Sequence, residues 1–168
     1  MKAEPATKLE IYWGATKNHV DCVKDFVESG EEYCLVLEDD IQFCSDTARC
    51  KKELTNFFKR QYDFDICMIS YSKMGLIEPV DDCVLISKQA CTTSSGYILR
   101  KETATKIYQI LDEGLCKMRE TGDYITYCCD RHWAKIQGER KFLLLRNKIA
   151  YQRVVYSNIT GCNNLFLD

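Results

Sequence analysis

Three consecutive carboxylates, Glu38, Asp39 and Asp40, end the apolar segment YCLVL and precede a second apolar pattern, IQF. Adjacent negative charges repel one another and are costly to bury unless they are paired or bound to a metal. Because side chains alternate along an extended segment, Glu38 and Asp40 are expected on one side of it. Two such carboxylates can hold Mg²⁺ or Mn²⁺, which typically use one or two carboxylates together with substrate phosphates. The triplet therefore predicts a metal–diphosphate site; alternatively, the two aspartates cap the next loop and Glu38 is solvated.

The apolar periodicity predicts the elements that would position these acids. A short strand is expected over residues 8–13, then a helix over about 18–29, then a strand buried on both faces that ends in the acids. Downstream, the patterns predict helices over 47–60, 101–118 and 124–137 and strands over 64–72, 83–88, 90–100, 142–145 and 149–157. This alternation predicts an α/β domain with a mostly parallel sheet flanked by helices. In such sheets ligands bind beyond the carboxyl ends of the strands, where the acids stand.

Composition and charge limit the class of protein. The chain has 168 residues, 46% apolar and 29% charged, which is typical of a single globular domain spanning 1–168. A net charge of −2 without a basic run argues against nucleic-acid binding. No apolar run reaches the roughly 18–20 residues of a membrane span, and the opening MKAEPATKLE lacks the apolar region of a signal peptide. A soluble, cytoplasmic protein is expected.

The eleven cysteines are scattered, and none belongs to a CxxC pair, which argues against a zinc ribbon or a redox dithiol of that type. They are expected to be reduced, mostly buried thiols that pack as small apolar side chains. A disulfide framework would instead need an oxidising compartment. For the same reason the glycosylation sequon at Asn158 is expected to be fortuitous.

The stretch NHVDCVKDFVESGEEYCLVLEDDIQF resembles glycosyltransferase family 25, the inverting sugar transferases of lipooligosaccharide synthesis and collagen glycosylation, with relatives in large DNA viruses. Members carry a Gly-x-x-x-Ser-His stretch that opens a helix, followed by a polar turn and an apolar strand ending in Glu-Asp-Asp. Here Gly14 and His19 match that stretch, Asn18 stands where Ser is usual, and LVLEDDI matches without a gap.

Two further segments carry weaker similarity to the family, so that the resemblance covers about residues 14–162. TTSSGYILRKETATKI is similar to a small-residue stretch that leads through a tyrosine and a strand into a helix. LLLRNKIAYQRVVYSNITG is similar to the closing segment, where Gln152, Ser157 and Ile159 match and Asn158 replaces the usual Asp.

The resemblance implies a GT-A-like, Rossmann-like fold and metal-dependent, inverting transfer of a sugar from a nucleotide-sugar donor, a UDP-sugar, to a hydroxyl of a glycan or protein acceptor. Asp40 would coordinate Mn²⁺ or Mg²⁺, Glu38 would contact the nucleotide ribose or the metal, and Asp39 would orient or share the metal. A divalent cation would stabilise the charge that develops on the leaving diphosphate. Compact, cysteine-containing relatives also suggest a viral protein, in host cytoplasm or virion, and homo-oligomerisation stays open.

An inverting transferase also needs a base for the acceptor proton, and a carboxylate within hydrogen-bond reach is sufficient. The family places an acid in the region of YCCDRHW, which favours Asp130, with Asp123 second. Alternatively, Asp130 forms a surface ion pair with Arg131 or Lys135. Trp133 could stack on a sugar face or pack in the core.

Two other positions are candidates for supporting roles. His19 is expected to orient the carboxylates by a hydrogen bond, or to have a purely structural role. Ser95 and Gly96, with Ser94, would let acceptor or donor approach the backbone closely, or would form an ordinary turn.

The N-terminal nucleotide-binding unit of the family is expected to be shortened in this chain. About 13 residues precede Gly14, fewer than the roughly 30 of a βαβ unit. The alternative function is therefore a catalytically degenerate GT-A-like binding or scaffold domain that needs a partner. A metal-dependent phosphohydrolase or nuclease is a further alternative. It would need additional His, Asp or Lys ligands, for which the sequence shows no motif, and the low positive charge further disfavours a nuclease.

Overall fold

The computed structural model describes residues 6–72, 75–88 and 92–153 and the backbone of 156–157 and 162–163. The helices are α1 (Lys8–Glu28), α2 (Thr47–Lys59), α3 (Lys101–Thr121), α4 (Tyr124–Tyr127) and α5 (Cys129–Ala134). The strands are β1 (Tyr33–Leu37), β2 (Ile41–Phe43), β3 (Ile66–Ser72), β4 (Ile77–Pro79), β5 (Val84–Ser87), β6 (Thr92–Arg100), β7 (Phe142–Leu145), β8 (Ala150–Gln152), β9 (Tyr156–Ser157) and β10 (Cys162–Asn163). Residues 158–160, which include the sequon, the family match at Ile159 and the departure from the family at Asn158, lie outside this description.

Six strands form one sheet in the order β1-β6-β3-β7-β5-β4, which confirms the α/β class. The prediction of a mostly parallel sheet is wrong, since β3 and β7 are the one parallel pair and the other neighbours in this sheet are antiparallel. The strands that follow helices, β1, β3 and β7, do share a direction. Strands β4, β5 and β6 follow one another without a helix between them, so the chain reverses, and β6 enters between β1 and β3.

The first helix begins far earlier than the sequence pattern predicted. Residues 8–13 are the first turns of α1 and not a strand, and Gly14 lies inside the helix. Thr7 caps α1, because its side chain accepts a hydrogen bond from the backbone of Glu10 while the Glu10 carboxylate binds the backbone of Thr7. The reciprocal cap fixes the start of the helix. Its buried residues then recur at helical spacing as far as Phe26.

The strand that leads into the acids lies at the edge of the sheet. β1 pairs with β6 alone among the described strands, and its Leu35 and Leu37 side chains are 46% and 40% exposed while Val36 is buried. The prediction of burial on both faces is therefore wrong. The continuous apolar run is typical of a central strand, but β1 is an edge strand and only one of its faces is packed against the protein core.

Two apolar layers cover the sheet. Helices α1, α3 and α5 pack on one face around Val23, Leu111 and Trp133, and α2 packs on the other around Phe57 and Ile69. Strand β2 pairs with β8, and β9 pairs with β10, in two small antiparallel ribbons. Among the described residues, none of the helices combines the length and the apolarity that a membrane crossing requires.

Candidate functional site

The acidic triplet forms the turn between β1 and β2. The backbone N–H of Glu38 donates to the carbonyl of Ser95 at 2.9 Å, which extends the β1–β6 pairing by one residue. Ile41 then opens β2 and donates from its N–H to the carbonyl of Glu38 at 3.3 Å. The turn therefore places three carboxylates at the carboxyl end of β1, beside the ribbon that β2 forms with β8.

Glu38 is held by three side chains from three separate elements. Ser94 donates to Oε1 at 3.0 Å, His19 Nε2 lies 3.2 Å from the same oxygen, and Gln152 Nε2 donates to Oε2 at 3.0 Å. Burial alone would raise the pKa of Glu38, but the hydrogen bond and charge of His19 and the bonds from Ser94 and Gln152 lower it below its ordinary value. The site therefore favours an ionised Glu38.

His19 stands behind Glu38 in a chain of buried polar contacts. Its Nδ1 lies 2.9 Å from the hydroxyl of Tyr97 in β6. Since the carboxylate can only accept, Nε2 donates its hydrogen to Glu38, and Nδ1 forms the second hydrogen bond with the Tyr97 hydroxyl. The helix, the strand and the carboxylate are thereby fixed relative to one another.

Asp40 shares the side-chain amide of Gln152 with Glu38. Gln152 Nε2 lies 3.4 Å from both carboxylate oxygens of Asp40, so Glu38 and Asp40 do lie on one side of the turn. Burial, then the charge of Glu38, raise the pKa of Asp40. Arg153 donates to the backbone carbonyls of Asp39 and Asp40 at 2.9 Å and so leaves the carboxylates free of a direct ion pair with it.

This pair of carboxylates suits a hard divalent cation. Its oxygen donors are of the type that Mg²⁺ and Mn²⁺ prefer, and burial, then the charge of Glu38, disfavour an ionised Asp40 in the absence of a cation. Within the described ranges, no group of three or more His, Cys, Asp or Glu side chains is arranged to hold a metal. A cation bound by Asp40 and Glu38 would therefore need further oxygens from substrate or water.

Asp130 is connected to Glu38 through hydrogen bonds of two consecutive residues of β6. Its Oδ2 accepts a hydrogen bond from the backbone N–H of Thr93 at 3.2 Å, and the next residue, Ser94, binds Glu38. The Cys128 thiol lies 3.4 Å from Oδ1. Asp130 thus binds Thr93 and Cys128 rather than Arg131 or Lys135, and one segment of β6 connects it to the acidic turn.

Thr93 holds a backbone conformation that β-branched residues rarely adopt. Its φ is 79°, which costs of the order of 1–3 kcal/mol and is found most often where a site requires it. The Thr93 hydroxyl donates to Ser72 at 3.1 Å, and its N–H points at Asp130. The strained residue therefore lies between the carboxylate of Asp130 and the hydroxyl that holds Glu38.

The remaining sequence candidates lie in the protein interior or at a helix end. Trp133 is 1% exposed and packs between Tyr97 and Phe142, with ring centroids 5.0 and 5.8 Å away, so of its two predicted roles the structure shows core packing. Asp123 caps α4 by accepting a hydrogen bond from the backbone of Thr126 at 3.0 Å.

Ser95 and Gly96 contact the protein core. The buried Ser95 hydroxyl donates to Ser70 at 2.9 Å. A Cβ on Gly96 would lie 2.5 Å from Ile41 and 3.0 Å from Ile69, so the glycine allows β2 to pack closely on β6. The side-chain hydrogen bond to the acidic turn comes from Ser94, whereas Ser95 contacts that turn through its backbone carbonyl.

The sequence pattern does not identify three residues that belong to the candidate site. Tyr97, Thr93 and Gln152 reach the site through long-range pairing, and the sequence includes them only within segments that resemble the family. A tyrosine at the centre of a strand and a glutamine near a chain end carry no local signal of such contacts.

Comparison with known proteins adds no support to the family resemblance and does not contradict it. Neither the protein-family models nor the curated proteins contain a match to this chain. The resemblance to glycosyltransferase family 25 therefore stays a prediction that rests on the quoted motifs.

Proposed function

We propose that this chain is a GT-A-like glycosyltransferase domain that transfers a sugar, with inversion, from a nucleotide-sugar donor, a UDP-sugar, to an acceptor hydroxyl in a metal-dependent reaction. One observation carries the proposal: Glu38 and Asp40 converge on a single amide at the end of β1, while Ser94 and Thr93 connect the same turn to Asp130. This arrangement offers two metal-ligating carboxylates and a separate carboxylate that can act as a base.

Asp40 and Glu38 would hold Mn²⁺ or Mg²⁺, which supplies positive charge at the diphosphate oxygens as the nucleotide leaves. Glu38 is kept ionised and oriented by Ser94, His19 and Gln152. Asp39, with its side chain exposed beside them, contacts the donor from the outer side of the turn.

Asp130 is the proposed base. It takes the proton of the acceptor hydroxyl as that oxygen attacks the anomeric carbon from the face opposite the departing diphosphate, which inverts the configuration. Its Oδ2 is directed by the N–H of Thr93, so the strained backbone fixes where the proton is received. In this proposal the acceptor is a glycan or a protein side chain.

The direct test is calorimetric titration of UDP, with and without Mn²⁺, into the wild type, Asp40→Asn and a matched control, Asp25→Asn. Asp25 is an exposed carboxylate on α1, so the control makes the same change of charge outside the acidic turn. The proposal expects manganese-dependent UDP binding that Asp40→Asn weakens at least tenfold and Asp25→Asn leaves unchanged. UDP binding that ignores both Mn²⁺ and Asp40, or no binding, contradicts it.

A second candidate function is a catalytically degenerate GT-A-like binding or scaffold domain. It is favoured by the edge position of β1, whose exposed Leu35 and Leu37 flank the site on a strand that pairs on one side in the described part of the sheet. A strand from a partner could complete that edge. Binding of UDP and Mn²⁺ without hydrolysis or transfer of any UDP-sugar would select this candidate over the transferase.

A further inference from the structure

The thiols of Cys44 and Cys50 lie in direct contact. Their sulfurs are 2.9 Å apart, closer than two sulfurs approach without bonding or hydrogen bonding, and both side chains are partly exposed. All nine cysteines whose side chains the structure describes are unbonded, so this contact joins two free thiols.

The surrounding backbone holds the two thiols face to face. Cys44 follows β2, and its N–H donates to the carbonyl of Ile149 at 2.8 Å. The Cys50 sulfur lies 3.7 Å from that same carbonyl and 3.8 Å from the carbonyl of Cys44. Between them, Asp46 caps α2 by accepting from the backbone of Arg49 at 2.9 Å. A tight cap and a shared carbonyl therefore present Cys50, in the first turn of α2, to Cys44.

We propose that Cys44 and Cys50 form a dithiol–disulfide site that exchanges with low-molecular-weight disulfides such as oxidised glutathione. The thiolate of Cys44 attacks one sulfur of glutathione disulfide, forming a mixed disulfide and releasing one glutathione thiolate. The thiolate of Cys50 then attacks the Cys44 sulfur and releases the second glutathione. The protein loses two thiol hydrogens, which the two glutathione molecules carry away, and the two electrons reduce the glutathione disulfide bond.

The microenvironment of the two thiols suggests their order of reaction. Burial, then the neighbouring Cys44 thiol, raise the pKa of Cys50 to about 11. Cys50 is therefore rarely a thiolate at neutral pH and is a poor first attacker, whereas contact with Cys44 favours it in the second, intramolecular step. The rate of disulfide formation should rise as the pH increases toward that value.

The bond would link two elements beside the candidate site. β2 begins at Ile41, directly after the acidic turn, and pairs with the strand that carries Gln152. A disulfide from the end of β2 to α2 would fix that ribbon to the helix and oppose local opening of it. The inference is independent of sugar transfer, because it needs neither a metal nor a nucleotide.

The test is oxidation of the full chain with glutathione disulfide, followed by tryptic mapping without reduction. Trypsin cuts after Lys24, Arg49 and Lys51, so the predicted bond joins the peptide 25–49 to the short peptide 50–51. A Cys34→Ser variant, run in parallel, removes the other cysteine of the long peptide and should leave the link intact. Cys50→Ser should instead trap glutathione on Cys44 as a mixed disulfide.

Thermal unfolding gives a second readout. The oxidised chain should melt about 5 °C above the reduced chain, as expected for a bond that closes a short loop, and Cys50→Ser should lose that difference. The proposal is overturned if both thiols stay free while the exposed Cys22 and Cys116 react with glutathione. It is also overturned if the long peptide is joined through Cys34 to the Cys22 peptide instead.

Discussion

Glu38 and Asp40 share the side-chain amide of Gln152, yet their carboxyl pKa values shift in opposite directions. Glu38 also receives hydrogen bonds from His19 and Ser94, which lower its pKa despite burial. For Asp40, burial and then the charge of Glu38 raise the pKa, and the hydrogen bond from Gln152 offsets them only in part. The turn thus contains one compensated and one poorly compensated carboxylate, which is the condition that a bound cation would relieve.

The first prediction is that Asp40→Asn stabilises the metal-free protein. Because the pKa of Asp40 is raised in the folded state, its contribution to stability is present below its ordinary pKa and is lost as the pH rises through the raised value. At pH 7 in EDTA the free energy of unfolding of Asp40→Asn should exceed that of the wild type by about 0.5 kcal/mol. The difference is small because the Asp40 side chain is partly exposed to solvent. Urea unfolding measures it.

With Mn²⁺ added, the wild type should become more stable than Asp40→Asn. A ligand that binds the native state raises its stability, so the wild type should gain several degrees in Tm while Asp40→Asn gains little. Asp39→Asn, a change in the exposed neighbour, tests whether any nearby charge has the same effect. Equal responses of wild type and Asp40→Asn to Mn²⁺ would argue against a cation at this turn.

The second prediction concerns Gln152, which is the amide donor shared by both carboxylates. Gln152→Met keeps the length of the side chain but removes the donor, so Glu38 and Asp40 would face each other without it. We expect a loss of about 1–2 kcal/mol in EDTA, much of which Mn²⁺ should restore. Gln42→Met, at an exposed position of the paired strand, is the matched control and should change stability by less than about 0.5 kcal/mol.

Local signals predicted most helices and strands, and the failures have physical causes. The cap formed by Thr7 and Glu10 is visible as T-x-x-E, but the next residues, Ile11, Tyr12 and Trp13, are strong strand formers and favour a strand by propensity. The direction of β1, β3 and β7 follows from their helical crossovers. The insertion of β6 between β1 and β3 depends on pairing between distant residues, which no local pattern encodes.

The same limit applies to the site. The acids and His19 could be found from sequence because they belong to contiguous motifs. The contact of Asp130 with Thr93 depends on how α5 docks against β6. The positive φ of Thr93 could not be predicted either, because the residue there is not a glycine. Sequence therefore predicted the charged groups of the site but not the backbone and amide donors that organise them.

The third prediction contrasts two helical glycines. A Cβ on Gly114 in α3 would lie 2.9 Å from both the His132 ring and the carbonyl of Tyr127, whereas Gly14 in α1 has no atom within 4 Å of that position. Alanine gains about 1 kcal/mol of helix propensity at either site. Gly14→Ala should therefore stabilise by about 0.5–1 kcal/mol, and Gly114→Ala should destabilise by about 1–2 kcal/mol through overpacking. Equal effects in urea unfolding would contradict the close helix contact.

The fourth prediction separates the two candidate bases. Asp130→Asn preserves an oxygen for the N–H of Thr93 but cannot take a proton, so it should lower the rate of sugar transfer about 10²- to 10⁴-fold. Its affinity for UDP and Mn²⁺ should stay within about twofold, because Glu38 and Asp40, the proposed metal ligands, are unchanged. Asp123→Asn, which weakens the cap of α4, should lower Tm and leave the proposed transfer rate of the folded protein unchanged.

The transfer assay with a range of UDP-sugars reads out both Asp130 and Asp123, and calorimetry reads out donor binding. Loss of transfer in Asp123→Asn at full folding would move the base to α4. A rate that Asp130→Asn leaves intact would make the contact with Thr93 a structural one. The positive φ of Thr93 lies where the register between β3 and β6 shifts, so the rate of Asp130→Asn, and not the backbone conformation, decides between a catalytic and a structural contact.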